Sequence, residues 1–356
     1  MYATTQRLVL RCAAILVCSI TWPTAVHAGP VSIALVPVGD AGNAPDSTVM
    51  VTDGTTGYGA VGYAYNIGKY DVTNAQYAAF LNTVDPSGAN ALQLYNSKMA
   101  TGTQGGITWN GSRYVVNSGY TNKPVVYANW YNAVRFTNWL TNGQGSGGTE
   151  TGVYTLTGLT SIAALPGDHS AMIGTGTKWF LPTENEWYKA AYYRGGNANA
   201  GYWAYPFQSD TQPTNNIPGA TPNSGNFYNG VFATTQSGSV DSSQNYLTDV
   251  GAYTSALSPY NSYDMGGDVY QLNEALILAN GDSSRGYRGG LYGNVSSHLA
   301  ASYRNYGDPT NGDNSVGFRV AELPEPGSLM LFVIGAVGFL ALAWRRSHRR
   351  RANFAL

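Results

Sequence analysis

Glycine is the feature that most limits what this chain can fold into, because it makes up 44 of the 356 residues. Glycine destabilises the interiors of helices and strands and favours turns, so the chain must form short elements joined by many loops. Coiled coils and helical solenoids are therefore poor candidates. A hydrophobic fraction of 43% still supplies a sizeable core, which excludes a wholly disordered chain.

The first 28 residues have the three parts of a secretory signal peptide. Arg7 and Arg11 form a basic start, residues 13–20 are apolar, and Ala28 ends a small-residue cleavage site. A buried core helix is the alternative, but the terminal position and the basic flank favour a signal peptide over residues 1–28.

Both cysteines of the chain, Cys12 and Cys18, lie inside this predicted signal peptide. Its removal would leave a mature protein with no thiol, no disulfide and no cysteine metal ligand. The charge of the remaining sequence excludes one class of partner. Residues 29–323 contain 12 basic and 19 acidic residues, a net charge of −7, so they offer no electrostatic footprint for nucleic acid.

The C-terminal segment, 324–356, carries a second targeting pattern. Its parts are the tripeptide Pro324-Glu325-Pro326, an uncharged apolar run at 328–344, and a basic tail that begins with Arg345 and Arg346. The apolar run is at the short limit for a transmembrane helix. The arginines that follow it favour a cytoplasmic C-terminus.

This order of parts resembles the PEP-CTERM sorting signals of Gram-negative bacteria. The resemblance implies an exosortase-type sorting protease that cuts near the tripeptide and delivers the protein to the cell surface or its exopolysaccharide matrix. An ordinary tail anchor is the alternative. Both interpretations place residues 29–323 outside the cytoplasm, held at the inner membrane by the C-terminal helix or released from it.

Three stretches between these ends combine helical periodicity with a start signal: 70–82, 129–140 and 181–191. Thr73 and Asn129 are expected to cap the first two, and Thr183 and Glu186 to form a capping box on the third. The side chains expected to face inward are Tyr77, Phe80 and Leu81 in the first helix and Trp130, Val134 and Phe136 in the second. Segments 141–152 and 209–249 are predicted to be surface loops, pinned to a core by their aromatic residues.

Six sequence blocks follow one another in a recognisable order. They are YDVTNAQYAAFLN (70–82), KPVVYANWYNAVRFTNWL (123–140), FLPTENEWYKAA (180–191), YDMGGDVYQLNEA (263–275), RGG (288–290) and VGFRVA (316–321). These blocks resemble the sulfatase-modifying-factor domain, the fold of formylglycine-generating enzyme. The resemblance implies an α+β fold with C-type-lectin-like topology: a single compact domain, rich in irregular structure, over residues 29–323.

The family's enzymes oxidise a sulfatase cysteine with O2, copper and two cysteines of their own. The matching positions here are Asn294 and Leu299. Neither side chain can supply a thiolate or bind copper(I) as a soft ligand, so copper is not expected. We therefore assign no catalytic residue by this resemblance.

Two other arrangements suggest chemistry more weakly. His298, which follows two serines, could form a hydrolase triad with Asp308, although neighbouring Ser and His side chains seldom face each other. Glu184 and Glu186 could form an acid–base pair, but a role in capping the helix is the simpler explanation. Arg288 and Arg319, in the RGG and GFR blocks, are expected to pair with acids or carbonyls inside the fold.

The family's structural calcium sites give the metal prediction. For the first site, the resemblance implies the ligands Asp264, Gly267, Val269 and Gln271. For the second, it implies Asn226 and Phe227 with Asp241 as the acidic partner. Carboxylate and amide oxygens suit calcium, although Gln271 lacks the charge of the family's glutamate. The alternative for Asp264 is a turn aspartate bonded to its own backbone.

Three functions remain open from the sequence. The first is an exported, surface-anchored, non-catalytic domain that binds glycan or matrix, with calcium as a candidate cofactor. The second is a family oxidoreductase of formylglycine-generating or non-haem metal type that uses a cysteine-free mechanism. The third is a structural matrix or adhesion protein with no specific small ligand.

Overall fold

The computed structural model of this protein describes residues 30–158, 169–173, 175, 178–196, 200–279 and 282–324. The predicted signal peptide, most of the predicted sorting segment and the predicted transmembrane helix at 328–344 lie outside the described residues. Within the described ranges, none of the helices is both long enough and apolar enough to cross a membrane.

Four α-helices and two short 3₁₀ helices are described. The α-helices are α1 (Asn74–Val84), α2 (Lys98–Thr101), α3 (Trp130–Thr141) and α4 (Glu184–Tyr192), and the 3₁₀ helices are His169–Met172 and Ser296–Leu299. The three predicted helices correspond to α1, α3 and α4. Their predicted starts are confirmed: capping boxes begin α1 at Thr73 and α4 at Thr183, and the Asn129 side chain accepts from the backbone N–H of Asn132 at the start of α3.

Twelve β-strands are described. They are β1 (Leu35–Val38), β2 (Tyr65–Gly68), β3 (Ile107–Trp109), β4 (Tyr114–Val116), β5 (Lys178–Phe180), β6 (Tyr193–Arg194), β7 (Gly201–Tyr202), β8 (Tyr270–Ala279), β9 (Asp282–Arg288), β10 (Asn305–Gly307), β11 (Val316–Gly317) and β12 (Ala321–Leu323). One antiparallel sheet has the order β1-β2-β12-β5, and a second has the order β10-β9-β8-β11 with β11 parallel to β8. The strands β3–β4 and β6–β7 form small antiparallel pairs.

Helix α3 lies in the middle of the core. Every residue from Trp130 to Leu140 is buried, not only one face, so the prediction of a few inward-facing side chains underestimated its burial. Helix α1 presents Tyr77 and Phe80 to it, and both rings contact Phe136 with centroids 6.1 and 5.4 Å apart. A helix buried on all sides needs neighbours all around it, and only the complete fold supplies these.

The stretch from Trp203 to Val269 contains no helix and no strand beyond isolated bridges, which agrees with the predicted loops at 209–249. It is nevertheless anchored by a second, smaller hydrophobic cluster. The members of that cluster are Phe207, Phe227, Tyr253, Ala256 and Leu299. Long irregular backbone can stay ordered in this way, because its aromatic side chains are buried while its loops cover the surface.

The two arginines expected to be structural both lie inside the fold. Arg288 donates to Glu184 at 2.8 Å, and Arg304 donates to the same carboxylate from the other side. Arg319 lies 3.3 Å from Asp71 and donates to the carbonyl of Gly68. Buried guanidinium groups are tolerated only with such paired acceptors, so the prediction that these arginines pair with acids and carbonyls is confirmed.

Candidate functional site

Asn294, the first position that the resemblance matches to a family cysteine, lies in the turn that follows β9. Its Oδ1 accepts a hydrogen bond from the backbone N–H of Leu291, and its own backbone N–H donates to the Leu291 carbonyl. Its carbonyl accepts from the N–H of Tyr228. The amide side chain therefore closes a turn, a role that needs an acceptor and not a thiol.

The second position, Leu299, is fully buried in the smaller hydrophobic cluster. A Cβ on Gly290 would lie only 2.8 Å from Leu299 Cδ1, which explains why glycine, with φ of +74°, precedes this site. Glycines of the RGG block are expected to permit positive φ, and Gly289 and Gly290 have φ of +99° and +74°. An apolar side chain thus fills the interior at the second position that the resemblance matches to a family cysteine.

A surface groove of about 460 Å³ opens beside the turn that contains Asn294. Three aromatic rings form one wall: Tyr246 stacks nearly parallel on Tyr292 at 5.6 Å, and Phe232 lies 4.3 Å from Tyr246. The other lining residues are Thr103, Gln104, Val240, Asp241, Ser242, Gln244, Leu291, Gly293, Asn314 and Ser315. We call this surface the aromatic groove.

The polar side of the aromatic groove consists mainly of amides and hydroxyls. Asn314 donates to the Gln104 amide oxygen at 3.2 Å and lies 3.5 Å from the Tyr292 hydroxyl. Burial raises the pKa of Tyr292 to about 12, so its phenol stays neutral. Asp241 is the one carboxylate in the lining, and its Oδ1 accepts from Ser243. Such a surface can hydrogen-bond a neutral polar ligand but carries no histidine or thiol for catalysis.

The residues that the resemblance implies for the first calcium site differ in how well they suit a calcium ion. Gln271 Oε1 accepts hydrogen bonds from Arg319 Nε and Trp187 Nε1, both at 2.6 Å. Its Nε2 donates to the Asp264 carbonyl at 2.6 Å. Since a guanidinium cation already contacts the amide oxygen, Gln271 does not fit a calcium ligand in this arrangement. Gly267 and Val269 lie between Asp264 and Gln271 in sequence, and Val269 is buried.

Two aspartates lie deeper in the same block. Asp264 accepts from the Gly251 N–H at 2.7 Å, so it does not simply bond its own turn. Asp268 Oδ1 accepts from Asn226 Nδ2 at 2.6 Å and from the Thr248 N–H at 2.9 Å. Burial raises the pKa of Asp264 to about 6, and burial together with the Asp264 charge raises that of Asp268 to about 7.

The three residues of the second implied calcium set lie in different surroundings. Asn226 is buried against Asp268, and Phe227 belongs to the smaller hydrophobic cluster, whereas Asp241 is fully exposed on the aromatic groove. In the described ranges, no three His, Cys, Asp or Glu side chains come close enough to hold a metal ion. Calcium binding therefore stays a prediction.

His298 and Asp308, the residues of the suggested hydrolase triad, have different hydrogen-bond partners. His298 Nδ1 lies 3.0 Å from the Tyr270 hydroxyl, and its ring stacks on Tyr303 at 4.1 Å. Asp308 accepts instead from Thr310. In the hydrolase arrangement, therefore, the side-chain hydrogen bonds of the histidine and the aspartate go to other residues.

Glu184 and Glu186 belong to different clusters. Glu184 pairs with Arg288 and Arg304. Glu186 forms the capping box of α4 and lies 3.3 Å from His169 Nε2. The other nitrogen of His169, Nδ1, lies 2.9 Å from Glu274. Sequence reasoning missed this buried cluster, because its members are distant in sequence and no spacing connects them.

Comparison with known families agrees with the order of sequence blocks. The model of the sulfatase-modifying factor enzyme 1-like domain matches residues 37–323, and the model of the PEP-CTERM protein-sorting motif matches residues 322–350. The first match covers more than half of the chain. No curated protein matches the chain in sequence.

Several solved structures are similar over most of their length. CarF is 19% identical, with a TM-score of 0.44 over 82% of this chain and 98% of its own. PvdO from Pseudomonas aeruginosa is 15% identical, with a TM-score of 0.46 over 81% and 93%. Variable protein 1 of Treponema denticola is 19% identical, with a TM-score of 0.41 over 83% and 97%.

Proposed function

This chain belongs to the sulfatase-modifying factor enzyme 1-like family, and from that premise we propose that it is an exported surface protein whose domain binds a polysaccharide or matrix ligand without catalysing a reaction on it. The PEP-CTERM motif implies sorting by an exosortase-type system. Membrane attachment through the segment at 328–344, before or after sorting, is part of the proposal.

One observation carries the non-catalytic part: Leu299 is fully buried in an apolar cluster at a cysteine position of the family's enzymes. Copper(I) and disulfide exchange both need thiolates. The sequence from 29 to 323 has no cysteine, and Asn294 closes a turn instead. We therefore assign the groove beside the Asn294 turn to binding and not to sulfur chemistry.

The lining of the aromatic groove supports a sugar ligand. Tyrosine and phenylalanine rings offer apolar faces to the C–H surface of a sugar, and amide and hydroxyl groups can hydrogen-bond its hydroxyls. Tyr292 presents both a ring and a hydroxyl, next to Asn314 and Gln104. The net charge of −7 over residues 29–323 disfavours polyanionic ligands such as nucleic acid, which leaves neutral polysaccharides as the best match.

A binding assay with matched tyrosine variants tests this proposal. The exported protein is titrated with a panel of soluble exopolysaccharides, as wild type, Tyr292→Ala and Tyr306→Ala. Tyr292 lines the groove, whereas Tyr306 is an exposed tyrosine on β10 outside the groove lining. We expect Tyr292→Ala to weaken binding at least about tenfold and Tyr306→Ala to leave it unchanged. Absence of binding across the panel, or equal loss in both variants, would refute the glycan proposal.

The alternative is a family oxidoreductase with a cysteine-free mechanism, and it rests only on kinship. Incubating the protein with a sulfatase-type cysteine peptide, copper and O2 separates the two functions. We expect the peptide mass to stay unchanged. Conversion of the peptide cysteine to formylglycine would establish the enzyme instead.

A further inference from the structure

We propose that the domain binds an internal stretch of a neutral polysaccharide, several sugar units long, which runs from the aromatic groove across Gln244 into an adjoining cavity. That cavity has a volume of about 400 Å³, and we call it the Lys123 cavity after its one basic residue. Recognition of this kind rests on the glycan binding proposed above and adds to it the length of chain that is bound.

The two cavities adjoin along the segment from Gln244 to Leu247. Gln244 lines both of them. Tyr246 lines the aromatic groove, whereas its neighbours Asn245 and Leu247 line the Lys123 cavity. One short stretch of backbone therefore forms the wall between the cavities, and a ligand that crosses this wall contacts both.

Side chains from two other segments hold this wall in place. Lys123 Nζ donates to the carbonyl of Leu247 at 2.6 Å. Asn226 Nδ2 donates to the carbonyl of Tyr246 at 2.8 Å. Because the wall is fixed by these contacts before any ligand arrives, binding costs little ordering of the protein.

The charges of the Lys123 cavity favour a neutral ligand. Lys123 Nζ lies 3.6 Å from Asp249 Oδ1, and the two side chains are 18% and 53% exposed. Their opposite charges balance, so the cavity does not select a charged ligand. The ammonium group donates hydrogen bonds and the carboxylate accepts them, and sugar hydroxyls can do both.

Unsatisfied polar atoms lie around the same cavity. Thr234 Oγ1, Asn245 Nδ2 and Thr248 Oγ1 are buried and have no hydrogen-bond partner among the described residues. All three residues line the Lys123 cavity. Buried polar atoms in native proteins almost always have partners, so three such atoms around one cavity point to a ligand rich in hydrogen-bonding groups.

The sizes of the cavities indicate how much of a polysaccharide each one holds. Both lie in the range of about 300–1,000 Å³ that is usual for a small-molecule site, so a short saccharide fits into one of them. A longer chain reaches the second cavity while it is held in the first. The second set of contacts is then intramolecular and raises the affinity by effective concentration.

A length series tests the proposal. The neutral polysaccharide that binds most tightly in the panel above is partly hydrolysed, its fragments are separated by size, and each fraction is titrated into the exported protein by calorimetry. We expect the Kd to fall at least about tenfold between disaccharides and fragments long enough to span both cavities, and then to level off.

Matched aspartate variants locate the second contact. Asp249→Ala changes an exposed residue of the Lys123 cavity, and we expect it to remove most of the gain with length while disaccharide binding stays unchanged. Asp210→Ala is the control, since Asp210 is 60% exposed, lies 3.8 Å from Arg194 and is outside both linings. Thr234→Val removes an unpartnered hydroxyl at nearly constant shape, and it decides by the same criterion if Asp249→Ala fails to fold.

The outcomes separate this proposal from the one on which it rests. Equal affinity for short and long fragments, or equal weakening of both by Asp249→Ala, would overturn the two-cavity site and leave glycan binding at the aromatic groove in place. The same loss in Asp210→Ala as in Asp249→Ala would also overturn it. Binding of no fragment and no polysaccharide would refute the glycan proposal itself.

Discussion

His169 shows how a single buried charge is held in this fold. Its ring is fully buried, stacks on Phe180 at 3.6 Å, and lies between the carboxylates of Glu186 and Glu274. Burial alone would lower the pKa of His169, but the two carboxylates outweigh it and raise that pKa from 6.5 to about 10. The ring is therefore an imidazolium at neutral pH, and it ties β8 to the start of α4.

This cluster predicts a specific pH dependence of stability. Because the folded-state pKa lies above the unfolded one, the stabilisation by His169 is complete below about pH 6.5 and is lost as the pH rises towards 10. Equilibrium urea unfolding at several pH values measures it. We expect His169→Gln to be destabilised by about 3 kcal/mol near pH 6 and to lose that pH dependence.

The other described histidine between the two ends supplies the control. His298 is only half-buried, and burial lowers its pKa. We expect His298→Gln to retain the wild-type decline in stability above pH 6.5. If His169→Gln shows the same decline as wild type, the glutamates do not hold a charged ring.

Helix starts are the elements that local sequence controls most directly. In α1, the Thr73 side chain accepts from the Gln76 N–H, and the Gln76 side chain accepts from the Thr73 N–H. Both partners lie within four residues, so the motif can be read before any tertiary contact is known. The extent of burial of α3 could not be read in this way, because it depends on distant segments that pack around it.

We expect Thr73→Ala to lower the free energy of unfolding by about 1 kcal/mol, because the first turn of α1 loses its cap. Thr83→Ala is a matched control in the same helix. Thr83 only donates back to the Ala79 carbonyl, an interaction that adds little to helix stability. Chemical denaturation of the two variants compares them, and an equal effect would show that the cap contributes nothing.

The last described strand, β12, is an interior strand of the first sheet. It lies between β2 and β5, so the sheet is complete only when this strand is in place. The sorting motif begins at residue 322, inside this strand, and Pro324 follows Leu323 directly. The sheet and the sorting motif thus share residues, and the folded domain reaches almost to the tripeptide.

Two truncations test whether β12 is required. A chain that ends at Leu323 keeps the strand, and a chain that ends at Val320 lacks it, while both lack the sorting segment. We expect the longer chain to unfold cooperatively and the shorter one to melt at least roughly 10 °C lower or not to fold, because β2 and β5 lose their shared neighbour. Circular dichroism melts provide the measurement. Equal melting of the two chains would mean that β12 is peripheral.

Local signals in the sequence determined the helix starts, the glycine-permitted turn at Gly289 and Gly290, and, through the order of blocks, the family of the domain. They also determined that residues 29–323 have no thiol. The tertiary structure decided which partners the polar residues have. Gln271 accepts a hydrogen bond from Arg319, and Asp268 Oδ1 accepts one from Thr248 while its Oδ2 has no partner among the described residues. These partners lie 20 to 48 residues apart in sequence, and hydrogen bonds of that kind exist only once the chain has closed around its core.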